Sequence, residues 1–267
     1  METISVNPEH QDQTGYVHGI YTNLSANRSS FLERARTASE ITIPSLLPEQ
    51  GHSGSSILPT PYQSIGAEGI NNLASKLLLS LLPPNSPFFR LVIDDAELEA
   101  LVAAQKGQVE EALAKIERMV AQEIEVRAFR VPISEALKQL LVAGNVLLYL
   151  PPKEQMRVFR LDRYVVKRDS MGNVLKIVIK ESLSPLSLPD NAKKLLPEHE
   201  EDEVPMGNVD LYTCVTWTGR NWTILQELEG QIVPGSEGSY PKDRSPFLAL
   251  RFTHIDGEDY GRGFVEE

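Results

Sequence analysis

The sequence predicts an α+β protein, with N-terminal helices followed by antiparallel strands and hairpins. Apolar residues recur at helical spacing through the first half of the chain, and from Asn145 onward the period shortens to two. The two patterns are segregated rather than interleaved, unlike the alternation that builds a parallel α/β sheet. A chain of 267 residues, 41% hydrophobic and 24% charged, can also bury a sizeable core.

Residues 1–15 are polar and read as a flexible N-terminal arm closed by Gly15. Ile20, Leu24, Phe31, Ala35 and Ala38 then share a helical face. Ser30 and Glu33 have the form of a capping box, which would divide this region into two helices. Pro44–Pro59, with Gly51, Gly54 and several serines, reads as a loop. Thr60, Pro61 and Gln63 mark a helix start, and Pro83 and Pro84 mark its end. The helix between them would hold about 22 residues over roughly 33 Å. Glycine inside a helix costs about 1 kcal/mol relative to alanine. Gly66 and Gly69 within one turn therefore predict a close approach by another backbone.

Phe88–Leu91 reads as a short strand, and Asp94 and Asp95 as acids favoured at a helix N-terminus. Val109, Leu113, Ile116, Val120 and Ile124 form the stripe of a long amphipathic helix near 96–127. This helix and the glycine-bearing one are both expected to pack into the core of their own chain. A further helix from about Pro132 to Ala143 ends at Gly144, a natural left-handed cap. Strands follow at Val146–Leu150, Arg157–Leu161 and Tyr164–Arg168, the last paired with Val174–Lys180 around Met171-Gly172-Asn173. Residues 184–207, rich in proline and charge, read as a long acidic loop or mobile insertion. Val209–Thr218 and Trp222–Leu228 make a second hairpin, and Phe247–Thr253 a last strand. The chain thus divides into a mainly helical part at 16–144 and an antiparallel β part at 145–256.

Residue chemistry points away from an enzyme. Phosphate-binding loops are absent, and Gly257, Gly261 and Gly263 fit a turn or bulge better than a nucleotide site. His10, His18, His52, His199 and His254 are scattered without ligand spacing, so no metal and no cofactor is expected. Glu198-His199-Glu200-Glu201-Asp202-Glu203 lacks the alternating carboxylates of a calcium loop and reads as a solvated acidic segment. Cys214 is the only cysteine, which excludes an internal disulfide, and its place in a strand predicts a buried thiol. Asp94-Asp95 suits helix capping better than acid–base work, because adjacent side chains diverge. Trp217 and Trp222 flank a turn and suit cross-strand packing better than base stacking. No catalytic residue is assigned, and no DNA-contacting residue can be named. Met1–His10 lacks the pattern of a secretory signal, and the longest apolar stretch, Leu77–Leu82, is far shorter than the roughly 20 residues that span a bilayer. A soluble chain made in a reducing cytoplasm, with no membrane partner, is the expectation.

The run Thr60-Pro-Tyr-Gln-Ser-Ile-Gly-Ala-Glu-Gly-Ile-Asn-Asn-Leu-Ala-Ser-Lys-Leu-Leu-Leu-Ser-Leu-Leu-Pro-Pro-Asn-Ser-Pro-Phe-Phe-Arg90 closely resembles the portal proteins, or head-to-tail connectors, of short-tailed bacteriophages. Phe31-Leu-Glu-Arg-Ala-Arg36 with Ile43–Pro48, Leu140–Tyr149 and Gly257–Arg262 agree with the same family in the same order. The resemblance implies a dodecameric ring of identical subunits at one capsid vertex of the virion, assembled in the host cytoplasm. Double-stranded DNA would be packaged through such a ring by a separate terminase and ejected through it. Scaffolding and major capsid proteins are implied as partners, with no catalytic residues in the subunit itself. The family fold combines a wing, a stem, a clip and a crown. Its members are longer, and this chain stops at Phe264-Val-Glu-Glu267, so the 267 residues resemble the wing. The stem, clip and crown are then absent, 257–267 lead toward a missing stem helix, and terminase and tail adaptors would meet mainly the missing parts.

Charge is consistent with that resemblance. Lys and Arg number 26 against 37 Asp and Glu, a net charge of −11. A conduit should not grip DNA, and acidic subunits repel phosphates. Two other readings are open from the residues alone: a monomeric protein-binding adaptor module, and a metal-dependent hydrolase using the acidic segment at 198–203.

Overall fold

The computed structural model describes residues 15–49, 51–52, 56–84, 86–93, 103–152, 154–196 and 207–267, with backbone alone at 103–105. Among the described residues the helices come first: α1 (Tyr16–Ile41), α2 (Ile65–Leu81), α3 (Ala103–Val126) and α4 (Arg130–Ala143). Then follow β1 (Asn145–Tyr149), β2 (Arg157–Phe159), β3 (Tyr164–Arg168), β4 (Val174–Leu183), the helical turn α5 (Asp190–Lys193), β5 (Val209–Trp217), β6 (Asn221–Leu228), β7 (Gln231–Ile232), β8 (Gly238–Pro241) and β9 (Phe247–Arg251). The observed class is α+β, as the sequence predicts.

The strands form two antiparallel sheets. One has three strands in the order β2-β1-β9; the other runs β3-β4-β5-β6-β7, with β8 also pairing β6. Alternate residues of the larger sheet face opposite ways. Tyr164, Val166, Ile177, Ile179 and Val215 meet Leu147, Phe159 and Phe247 of the smaller sheet in one core. Val165, Val178, Tyr212 and Cys214 face the first turns of α1, against Val17, Ile20 and Leu24. Both faces of the central strands are therefore dry, which explains their nearly unbroken apolar sequence. On its other face the smaller sheet packs Val146 and Leu148 against Ala136 of α4. α2 lies outside α4, joining Ile70 and Ala74 to Leu137 and Leu141.

The hairpins at 169–173 and 218–221 form where expected. Asp169 Oδ1 accepts the amides of Met171 and Asn173 at 2.9 and 2.7 Å, closing the first turn. Gly144 ends α4 in the left-handed region at φ 68.

Several expectations are corrected. α1 is one helix of 26 residues, because Phe31 and Ala35 must continue the buried face across Ser30. α2 holds 17 residues and begins after Ser64, whose hydroxyl donates to Glu68 Oε1 at 2.7 Å. Thr60 and Pro61 thus sit in the approach to the helix. Gly66 is the site of the close approach: a Cβ there would stand 2.8 Å from the Ile41 carbonyl oxygen, whereas Gly69 has open space. Phe88–Leu91 joins no ladder; the Leu91 amide donates to Glu117 Oε1 of α3, a side chain, where a strand would need a neighbouring backbone. Residues 184–196 are packed and not a loose insertion: Leu188 and Ala192 bury against Leu211, Leu228 and Val233 at the end of the larger sheet. The readings for 1–14, Asp94-Asp95 and 197–206 lie outside the described residues.

The largest departure concerns α3. α2 packs within the chain as expected, but no described side chain of α3 is buried. Ile116 and Val120, in the middle of the stripe, are 47% and 41% exposed. An isolated helix is marginal in water without a packed face.

Residues 257–265 fold back as a clamp. Tyr260 is buried, its hydroxyl accepts the Val166 amide at 3.0 Å, and its ring lies 5.3 Å from that of Phe31. Asp259 accepts the Arg168 amide and the Lys167 ammonium. Asn145 closes a reciprocal pair with the Gly261 backbone, both contacts at 2.8 Å. Gly144 lies so close beneath that a Cβ would meet the Arg262 carbonyl carbon at 2.3 Å.

Candidate functional site

The residues singled out for chemistry do not converge. Cys214 is buried in β5, where burial pushes its thiol pKa up and keeps it protonated. Trp217 and Trp222 are direct cross-strand partners, ring centroids 5.2 Å apart, and the Trp222 indole donates to the Lys242 carbonyl. His18 lies against the Tyr212 ring, His52 on a cleft beside α1, and His254 near the Gly172 turn. His10 and His199 lie outside the described residues. Gly257 makes a left-handed turn, and Gly261 and Gly263 press on the end of α4. Among the described residues no three His, Cys, Asp or Glu side chains gather as a metal site, and no helix is long and apolar enough to cross a membrane.

Surfaces are what the fold offers instead. A groove of about 680 Å³ runs between the end of α1, the approach to α2 and residues 264–265. Ile41, Tyr62, Ile65 and Phe264 line it and are all exposed. The second surface is the stripe of α3. Contiguous exposed apolar area of this kind marks association sites more often than chance.

The helices fix where these surfaces lie. The start of α2 abuts the end of α1 through Gly66 and carries the groove. At the other end of α2 the Arg130 guanidinium, from the start of α4, donates to the Leu82 and Pro83 carbonyls. α3 joins α4 at that same point, through Arg127–Phe129, and Arg130 also pairs with Glu125 of α3 at 2.5 Å. The groove therefore lies at the start of α2, and the C-terminal end of α3 at the other end of α2.

One structural group escapes the sequence reading. Glu227 is fully buried, and its carboxylate accepts the Val17 and His18 amides at 2.6 and 3.1 Å. It caps α1 from 210 residues away, in place of a local cap that Gly15 cannot supply. Glu227 shares the face of β6 that Leu225 turns toward α1, a placement that only the fold reveals.

A sequence model of the family described as "Bacteriophage head to tail connecting protein" matches residues 15–267. The portal protein of Escherichia phage T7 is 39% identical over 257 residues, covering 93% of this chain and 48% of the relative. That of Enterobacteria phage T3 is 39% identical, covering 92% and 48%. The portal protein of Enterobacteria phage SP6 is 30% identical, covering 97% and 51%. The chain spans about half the length of the curated relatives it matches. A fold with large uncovered apolar surfaces, matched by the family model over every described residue, belongs to the bacteriophage head to tail connecting proteins.

Proposed function

We propose that the chain is the wing portion of a portal subunit and takes a structural role in a ring at a capsid vertex, through which double-stranded DNA is packaged and ejected. The observation that carries this reading is the family match over 15–267. Residues 16–144 and 145–256 are its helical and β parts, and 257–267 lead toward the stem. The ring is dodecameric, a component of the virion, and assembles in the host cytoplasm. Scaffolding and coat proteins surround it, while terminase and tail adaptors meet mainly the half of the relatives' length that these 267 residues do not match. A net charge of −11 per subunit suits a conduit that DNA slides through without adhering.

Ring closure needs two different surfaces on each subunit, one meeting the other on the next copy. An exposed apolar stripe on α3 and a concave apolar groove beside the start of α2 are two different surfaces of the kind that geometry needs. The hydrolase reading rests on 198–203, outside the described residues, and no observation favours the adaptor reading.

Negative-stain microscopy of the natural gene product, its C-terminus mapped by mass spectrometry, tests the proposal. Rings of about twelve-fold symmetry are expected, and Ile116→Asp should leave monomers that remain folded by circular dichroism. A concentration-independent monomer from the unsubstituted natural product would sink the reading.

A further inference from the structure

A polar cleft of about 1070 Å³ runs along the middle of α1, walled by the turn at 160–163, by β4 and β5, and by Pro48, Glu49, Gly51 and His52. Its floor holds a buried cation without a counter-ion. Arg28 is only 6% exposed, yet its guanidinium bonds neutral groups alone: the Leu161 carbonyl at 3.0 Å, the Tyr164 carbonyl at 2.6 Å and the Tyr21 hydroxyl at 3.3 Å. Its Nε is buried without a partner, as is that of Arg36 farther along the same wall. Among the described residues no carboxylate stands at ion-pair distance from Arg28, and burying such a charge unpaired is costly.

The neighbours deepen the imbalance. Arg160, Arg163 and Lys180 line the same inner end. Asp162 is already held by Arg160 through two contacts and by Arg163 at 3.6 Å, and Asp210 by Lys180 at 2.7 Å. Four cations thus face two engaged carboxylates, within a chain whose overall charge is negative. The outer end differs, since Glu33 and Glu49 line it together with Arg36 and His52.

We propose that the inner end of this cleft binds a phosphate group. Guanidinium forks suit tetrahedral oxyanions, and a dianion would offset the excess of charge around Arg28. The cleft is roomier than one phosphate requires, so the ligand is either free phosphate or a small molecule with a terminal phosphate. The acidic outer rim disfavours a duplex, whose phosphates come as a continuous row. The site is independent of ring formation, so its failure would leave the portal reading untouched.

Thermal unfolding of the chain with inorganic phosphate, against chloride at equal ionic strength, tests this. Phosphate should raise the midpoint by a few degrees. A nucleoside monophosphate should do at least as well if the ligand carries an organic group, and worse if free phosphate is the ligand. Arg163→Gln and Lys180→Gln, both at partly exposed positions, should each weaken phosphate binding about tenfold. Arg118→Gln on α3 should leave it unchanged. No shift with either probe, or an equal shift in the cleft variants, would overturn the proposal. So would tighter binding of a short DNA duplex than of phosphate, which would make the cleft a nucleic-acid groove.

Discussion

In the two-sheet body the apolar pattern is consumed inside the chain, whereas in the arm made by α2 and α3 much of it faces outward. Val178, Leu147 and Tyr260 are all but inaccessible to water; Ile65, Leu79, Ile116 and Val120 are not. The difference lies in supply of partners, since each sheet has a helix or another sheet on both sides, while α3 reaches other segments through Glu117, at the Leu91 amide, and Glu125, at Arg130. A helical stripe in a sequence therefore states that a face will be covered, and leaves open by which molecule. If that contrast is real, substitutions in the body should unfold the chain and substitutions in the arm should not.

The largest effect is expected at the clamp. Gly144→Ala adds a Cβ 2.3 Å from the Arg262 carbonyl carbon and forces an L-residue to φ 68. Overpacking and left-handed strain together should cost roughly 2–5 kcal/mol. The measurement is the urea midpoint, and a loss below about 1 kcal/mol would mean that 257–265 moves aside freely. Glu227→Ala comes next. It strips two amides of α1, the buried one of Val17 and the part-buried one of His18, of a charged acceptor, and about 2–3 kcal/mol should be lost. Glu227→Gln should recover part of that loss, since an amide oxygen can still accept one of the bonds.

A smaller effect, with its own pH signature, is expected from Tyr260. Burial pushes its hydroxyl pKa up to about 12, and burial raises Tyr164 beside it as well. The raised folded value means that the folded chain holds these protons where the unfolded chain, with an ordinary tyrosine value of about 10, has released them. Stability is thus fully present below about pH 10 and falls as pH rises toward 12. Tyr260→Phe should cost about 1 kcal/mol at neutral pH through the lost Val166 contact and should flatten the alkaline decline. Urea titrations at pH 8, 10 and 11 would show it; an unchanged slope would assign the decline to the other groups that burial raises, Tyr149, Tyr164, Tyr212 and Cys214.

Local signals carried the fold well where the chain contacts itself nearby. The 169–173 hairpin, the Gly144 cap and the period-two strands follow from turn residues and alternation. Legibility ended where a contact spans the sequence. Nothing near residue 15 announces that Glu227 caps α1, and nothing around Ser30 shows that the core needs the helix to run through. The short strands β7 and β8 hold too few residues for a period to register. The segments that resemble the connector family were legible for another reason. Gly144-Asn145, Tyr260-Gly261 and Phe31, from three of those segments, meet in one packing joint. The phosphate cleft left no sequence signal at all, because Arg28, Arg160 and Lys180 approach one another only in the fold.

The smallest expected change is the one that isolates the arm. Ile116 is 47% exposed and lies in the middle of the α3 stripe. Ile116→Ser should alter the stability of the isolated chain by no more than about 0.5 kcal/mol, as at other surface positions. Leu147→Ala, which empties a fully buried site between the sheets, should cost roughly 2–5 kcal/mol. Equal losses for the two would mean that α3 is covered by its own chain in solution and that its stripe is not free for another molecule. A silent Ile116→Ser in the isolated chain, combined with lost rings in the natural product, would locate the missing cover on a neighbouring subunit.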